Sequence, residues 1–131
     1  MKALTAARIV IVEDDMLIAM DLQATLEDLG HQVVSVVPTG EEGIREVEES
    51  EVDLLLMDIR LAGELDGIAT AKLIQSRFDI PVIFVTATTT PESERLDWST
   101  GFCDYVAKHF CDEELRTAID TAMKSRGRRL P

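Results

Sequence analysis

Short runs of apolar residues that do not alternate with polar ones recur along this chain, and each stops at a polar or acidic residue. Leu54-Leu55-Leu56-Met57 is followed at once by Asp58, Arg8-Ile9-Val10-Ile11-Val12 by Glu13-Asp14-Asp15, and Ile80-Pro81-Val82-Ile83-Phe84-Val85 by Thr86. Strands covered by helices on both faces need apolar side chains at every position, so these stretches are predicted as buried strands of a parallel sheet. Gln32 to Val37, closed by Pro38, and the short Asp104-Tyr105-Val106-Ala107, ending at Lys108, supply two more. Between the runs the period changes. Leu17, Ile18, Leu22, Leu26 and Leu29 give a helix over Met16 to Leu29, and Gly30 stops it as a residue just past a C-cap does. A second helix opens at Thr39-Gly40-Glu41-Glu42 and has few apolar positions, Ile44 and Val47, which predicts a solvent-facing helix. A third, Ile68 to Phe78, has Ile68, Ala71, Leu73 and Ile74 at helical spacing and Asp66 as its N-cap. A fourth runs from Pro91 to about Thr100 and ends at Gly101. The fifth, Asp112 to Met123, turns Leu115, Ile119 and Ala122 inward. Strands and helices that alternate in this way predict a doubly wound α/β fold.

The chain of 131 residues is about one domain, large enough to bury a sizeable core without staples. We expect a core over about 8–124 and a basic tail over 125–131, led by Lys124 and continuing with Arg126, Arg128 and Arg129. A net charge of -12 repels phosphate backbones and anionic membranes, so direct nucleic-acid or membrane binding is not expected. The same charge suits a divalent cation or a basic partner surface. Cys103 and Cys111 are too few for a disulfide scaffold, and we expect both reduced. The N-terminus carries no secretory apolar segment, and no apolar run approaches 18 residues, so a cytoplasmic location is expected.

Right-handed crossovers bring all the strand carboxyl ends to one edge of a parallel sheet, where ligands of such folds bind. Glu13, Asp14, Asp58, Thr86 and Lys108 should converge there. Alone, each has an ordinary reading: Asp58 as a turn carboxylate, Thr86 as a loop cap, Lys108 as a surface charge, Tyr105 as a half-buried strand aromatic. Together they are a set of parts. Close carboxylates repel by about 4 kcal/mol per pair at an effective dielectric near 20, so the site should bind a cation or hold a proton. Oxygen-only ligands in an open crevice point to Mg2+, which keeps several waters and pairs with phosphate oxygens. Lys108 offers a fixed positive charge to a phosphate and Thr86 a hydroxyl donor. A carboxylate, a metal, a lysine and a hydroxyl are what formation of an acyl phosphate requires, with Asp58 as the attacking group.

The motifs that carry these residues are Ile11-Val12-Glu13-Asp14, Leu56-Met57-Asp58, Asp66-Gly67, Val85-Thr86-Ala87 and Tyr105-Val106-Ala107-Lys108. In this order and spacing, from Ile9 to about Met123, the chain resembles a response-regulator receiver domain of two-component signalling. The resemblance implies a flavodoxin-like fold, with a five-stranded sheet in the order 2-1-3-4-5 and five flanking helices. It implies Asp58 as phosphoacceptor, Glu13, Asp14 and Asp58 holding Mg2+ with the Arg60 backbone carbonyl, and Lys108 clamping the phosphoryl group. Thr86 and Tyr105 would relay its presence, and Arg60 and Thr88 would tune its lifetime. The implied partners are a histidine kinase or histidine phosphotransfer protein and a downstream protein bound through the face of the fourth helix, fifth strand and fifth helix. Such domains are not enzymes on other substrates, although they catalyse their own phosphorylation and dephosphorylation. They act as monomers or phosphorylation-dependent dimers.

The sequence departs from the family pattern at His109, where a proline is usual, and in the loop from Asp58 to Asp66, which looks one residue longer than common. A cis bond before His109 would cost about 2.5 to 4 kcal/mol, so a trans bond with a reshaped loop, or a strained one held by the fold, is expected. Trp98 is expected partly buried on the fourth helix. A small aspartyl-phosphate phosphohydrolase would want a second carboxylate two residues after the nucleophile, where Arg60 stands. A phosphorylation-independent interaction module of the same fold would be expected to lose an acid, the phosphoacceptor or the lysine, and all are present. A flavin-binding module is disfavoured by the acidic loop after the first strand. No effector segment follows the fifth helix, so output is expected by protein contact, unless the chain is a piece of a longer one.

Overall fold

The computed structural model describes residues 6–59, 61, 65–86, 103–107 and 111–129. The strands are β1 (Arg8–Val12), β2 (Gln32–Val37), β3 (Leu54–Asp58), β4 (Val82–Thr86) and β5 (Cys103–Ala107). They form one sheet in the order β2-β1-β3-β4-β5, and every pairing is parallel. The described helices are α1 (Met16–Asp28), α2 (Gly40–Glu49), α3 (Gly67–Arg77) and the C-terminal α4 (Asp112–Arg129). The helix expected from Pro91 to about Thr100, with Trp98, lies outside the described residues, as does the bond between Lys108 and His109.

The unbroken apolar runs follow from two cores, one on each face of the sheet. Ile9, Ile11, Leu54, Leu56, Ile83 and Val85 pack with Leu22 and Leu26 of α1 and Leu115 and Ile119 of α4. Their neighbours Val10, Val12, Leu55, Met57, Val82 and Phe84 point to the other face and pack with Val47 of α2 and Ala71 and Ile74 of α3. The period-2 alternation of a strand is present, but both parities are buried.

Several boundaries differ from those read off the pattern. Leu17 lies at 79% exposure and Leu73 at 41%, although both belong to the apolar positions from which their helices were read. Leu17 precedes Leu22 by five residues, about 140° around a helix, whereas Ala19, Leu22 and Leu26 follow the i, i+3, i+7 stripe that meets the sheet. Leu73 is one residue, about 100°, from the buried Ile74, and the buried Thr70 takes the inward place instead. Strand β4 begins at Val82 rather than Ile80, because Pro81 has no N–H to give the ladder; its carbonyl still accepts from the Leu55 N–H at 3.1 Å. Helix α4 continues through the basic stretch to Arg129. Lys and Arg are good helix formers, and positive charge is favoured near a helix C-terminus.

Helix α1 ends where expected, and Gly30 is essential to how it ends. Its φ of 97° is one that side-chain-bearing residues rarely adopt, and it turns the chain so that the His31 N–H reaches the Leu26 carbonyl at 3.0 Å, while the Gly30 N–H bonds the Glu27 carbonyl at the same distance. The chain then enters β2 with His31 buried under the start of β1. The His31 Nδ1 accepts the Ala7 N–H at 2.9 Å, which requires the imidazole to be neutral with its proton on Nε2. Burial lowers the His31 pKa, opposed by the nearby charge of Asp120 on α4. The unfolded chain therefore takes up this proton more readily than the folded one. The contribution of His31 is complete above its unfolded pKa of about 6.5 and is lost as pH falls through the lower folded value. Unfolding free energy measured by denaturant titration should fall with acidification below about pH 6.5, by at most about 1.4 kcal/mol per pH unit from this group. His31→Asn, whose Oδ1 can accept the same N–H without titrating, should flatten that slope; an unchanged slope would exclude His31 as its source.

Candidate phosphoacceptor and cation site

The register of the sheet brings two acidic strand ends together. Val12 of β1 pairs with Met57 of β3, so Glu13 and Asp58 come next on neighbouring strands. Glu13 is 1% exposed and Asp58 7% exposed, while Asp14 is open to solvent. One carboxylate oxygen from each of Glu13, Asp14 and Asp58 lies within 4.8 Å of the others. Asp15, next along this acidic run, caps α1 instead, its Oδ1 accepting the Leu17 N–H at 3.0 Å and the Ile18 N–H at 3.3 Å. The Glu13 main chain is fixed by its N–H to the Val37 carbonyl at 2.9 Å, and its Oε2 accepts the Asp15 N–H at 3.2 Å.

Of the other predicted members of the site, Thr86 lies at the same edge, and Tyr105 lies in the middle of β5. Asp58 pairs with Val85, so Thr86 stands one residue further along β4 at its carboxyl end. Thr86 in turn pairs with Ala107, the last residue of β5, and Tyr105 pairs with Phe84. Arg60, Thr88 and Lys108 lie outside the described residues.

The donor set fits a hard divalent cation. Two ionised carboxylates at this separation repel by roughly 3–4 kcal/mol at an effective dielectric near 20, and the partial burial of Glu13 and Asp58 limits relief by water. All the ligands are oxygens, and the exposed Asp14 leaves a wet side on which Mg2+ can keep the waters it gives up reluctantly.

Residues 9–120 match the family model described as the response regulator receiver domain. The chain belongs to this family. It is 43% identical over 83 residues to the phyllosphere-induced regulator PhyR of Methylorubrum extorquens, an alignment covering 63% of this chain and 31% of that protein. Among solved structures, the signal receiver domain of a modulated diguanylate cyclase from Desulfovibrio desulfuricans G20 superposes with a TM-score of 0.87 at 32% identity, covering 96% of this chain and all of that one. The anti-anti-sigma factor PhyR of Bartonella quintana gives a TM-score of 0.80 at 34% identity, covering 95% of this chain and 50% of that one. The chain thus spans about a third of the first relative and half of the last. Receiver domains are generally signalling domains rather than enzymes, and typically bind Mg2+ through acidic residues such as the three clustered in this receiver domain.

Two links to the segment after β3 were not read from the sequence. The Gly67 N–H donates to the Ile59 carbonyl at 2.8 Å, so the first residue of α3 reaches back across the loop to the residue after Asp58. The Glu41 carboxylate of α2 accepts the Leu65 N–H at 3.2 Å near the far end of that loop. The Asp66-Gly67 pair was read as a cap and as a family motif, and Asp66 does serve as a cap, its Oδ1 accepting the Ala69 N–H at 2.8 Å. The Glu41 link joins residues 24 apart, a separation that local pattern does not reveal.

Because the three carboxylates repel, Asp14→Asn should stabilise the metal-free protein. For an exposed group we expect about 1 kcal/mol at low ionic strength, a rise of about 3–5 °C in Tm by calorimetry. Mg2+ at a hundred times its Kd should stabilise the wild type by about 2.7 kcal/mol and the variant by much less. Equal Mg2+ stabilisation of both would remove Asp14 from the cation site.

Proposed function

We propose that this receiver domain accepts a phosphoryl group on Asp58 in an Mg2+-dependent reaction and uses it to switch a protein-binding face. The observation that carries this reading is the approach of Glu13, Asp14 and Asp58 to within 4.8 Å at the carboxyl ends of adjacent strands. Mg2+, when bound, neutralises charge on the incoming phosphoryl oxygens. Glu13 and Asp14 hold the ion, with the Arg60 backbone carbonyl assigned by family resemblance, and the Asp58 carboxylate is the nucleophile. Its oxygen forms the new P–O bond as the donor's bond to phosphorus breaks, giving an aspartyl phosphate. Lys108 pairs with the transferred group, and Thr86 and Tyr105 report it, while Arg60 and Thr88 set its lifetime. These roles rest on the motif match; the sheet register supports a strand-end position for Thr86 and a mid-strand position on the neighbouring β5 for Tyr105.

The phosphodonor is a histidine kinase or a histidine phosphotransfer protein, and we assign the exchange to the cytoplasm, as the resemblance implies. Among the described residues no helix is long and apolar enough to cross a membrane. The first turns of α1 expose Met16 and Met20 at 61% each and Leu17 at 79%, directly after the acidic loop. An exposed apolar patch that follows Glu13 and Asp14 in the chain supports docking of the donor there. The downstream partner binds a face that includes β5 and α4, and the likeness of this chain to PhyR, an anti-anti-sigma factor in Bartonella quintana, supports a protein target. A net charge of -12 also favours protein over nucleic acid as the direct partner.

Incubation with acetyl phosphate and Mg2+, followed by intact mass and peptide mapping, should find one added phosphoryl group on Asp58, lost in Asp58→Asn and on chelation. Phosphorylation of another residue, or none, would refute the reading. Leu17→Glu should slow transfer from a phosphorylated histidine phosphotransfer protein at least tenfold, as loss of a buried interface anchor does. It should leave acetyl phosphate kinetics unchanged; equal slowing of both would place the defect in the site rather than in docking.

A further inference from the structure

The start of α3 lies unusually close to the main chain of Asp58. A Cβ built on Gly67 would fall 2.0 Å from the Asp58 carbonyl oxygen and 2.8 Å from the Ile59 Cα. These are backbone atoms, which cannot swing aside as the end of a flexible side chain can. Backbone conformation does not demand glycine at this position, since the positive φ among the described glycines belongs to Gly30. Helix propensity argues against glycine as well, because alanine would favour the helix. What position 67 requires is the missing side chain. The close approach also lets the Gly67 N–H reach the Ile59 carbonyl at 2.8 Å.

We infer that Gly67 is a positioning residue for the Asp58 carboxylate: its bare Cα seats α3 against the end of β3 and fixes Asp58 relative to Glu13 and Asp14. Asp58 is the last residue of β3, held on one side by its pairing with Val85 and followed immediately by the Ile59 carbonyl that Gly67 grips. Any residue larger than glycine must push this strand end or the helix away. The displacement acts on the atoms that carry the nucleophile. The inference rests on the reading of Asp58 as phosphoacceptor.

The test compares Gly67→Ala with Ile74→Val, which thins the buried face of the same helix seven residues along from Gly67. Mg2+ affinity is measured by calorimetry, and phosphorylation by acetyl phosphate at saturating Mg2+ by mass spectrometry. Gly67→Ala should weaken Mg2+ binding about tenfold or more, the usual cost of losing support behind a metal ligand, and should slow phosphoryl transfer at saturating Mg2+. Ile74→Val should lower Tm yet keep wild-type affinity and rate. Wild-type behaviour of folded Gly67→Ala, or equal defects in both variants, would overturn the inference. Should Gly67→Ala fail to fold, amide hydrogen exchange on the wild type decides. Mg2+ with beryllofluoride should slow exchange of the Gly67 amide more than that of the His31 amide at the end of α1, and equal slowing would overturn the inference. A wild type that ignores Mg2+ and acetyl phosphate would instead refute the phosphoacceptor reading itself, and the inference with it.

Discussion

Like charge held at close range by two strands that cannot move apart is the constraint on which this structure turns. β1 and β3 are paired in the middle of the sheet and buried on both faces, and each runs directly into an acid, Glu13 and Asp58. The apolar cores determine where these strands lie, so the acids cannot relax their repulsion by shifting the main chain without unpacking side chains on two faces. An isolated surface cluster would spread its carboxylates into water. Here a counter-charge relieves the repulsion, and the wet side left by Asp14 is where a cation can enter. The stability of the sheet thus holds the site in its charged arrangement.

The supports around this edge divide the work of holding it. Asp15 caps α1 and turns the chain away from the site, which leaves Glu13 and Asp14 facing Asp58. Gly67 and Asp66 together set α3: one provides the close approach to β3, the other accepts the Ala69 N–H in the first turn of the helix. Glu41 joins α2 to the loop between them, and the Arg77–Glu48 ion pair at 3.1 Å links the far ends of α2 and α3. That exposed pair contributes little to stability, about 0–1 kcal/mol. The apolar packing of Val47, Ala71 and Ile74 carries most of this face.

Much of this architecture was legible because two-sided burial leaves a plain signature. A run such as Leu54–Met57 suits little besides a strand covered on both faces, and an acid directly after it marks the functional edge. The helices were harder, since an apolar residue near the right phase can still face water. Leu17 and Leu73 share their helices with buried stripes but sit off the phase of those stripes. The convergence of the three acids followed from strand order and right-handed crossovers alone. Gly67 was legible only as part of a cap signal and a family motif because a steric requirement leaves no trace in composition: a glycine chosen for its small size looks like one chosen for its turn. The end of α4 was misjudged for a related reason, since a basic run serves equally as a solvated tail or as the favourable end of a helix.

Whether the crowded acids share one ion decides the matter. Crystals grown with Mn2+ in place of Mg2+ and measured at the manganese absorption edge would locate it directly by anomalous scattering. We expect a single strong peak within bonding or water-bridged distance of Glu13, Asp14 and Asp58. A peak elsewhere on this acidic surface, or no peak while the three carboxylates keep their spacing, would contradict the claim that their repulsion is the basis of a cation site.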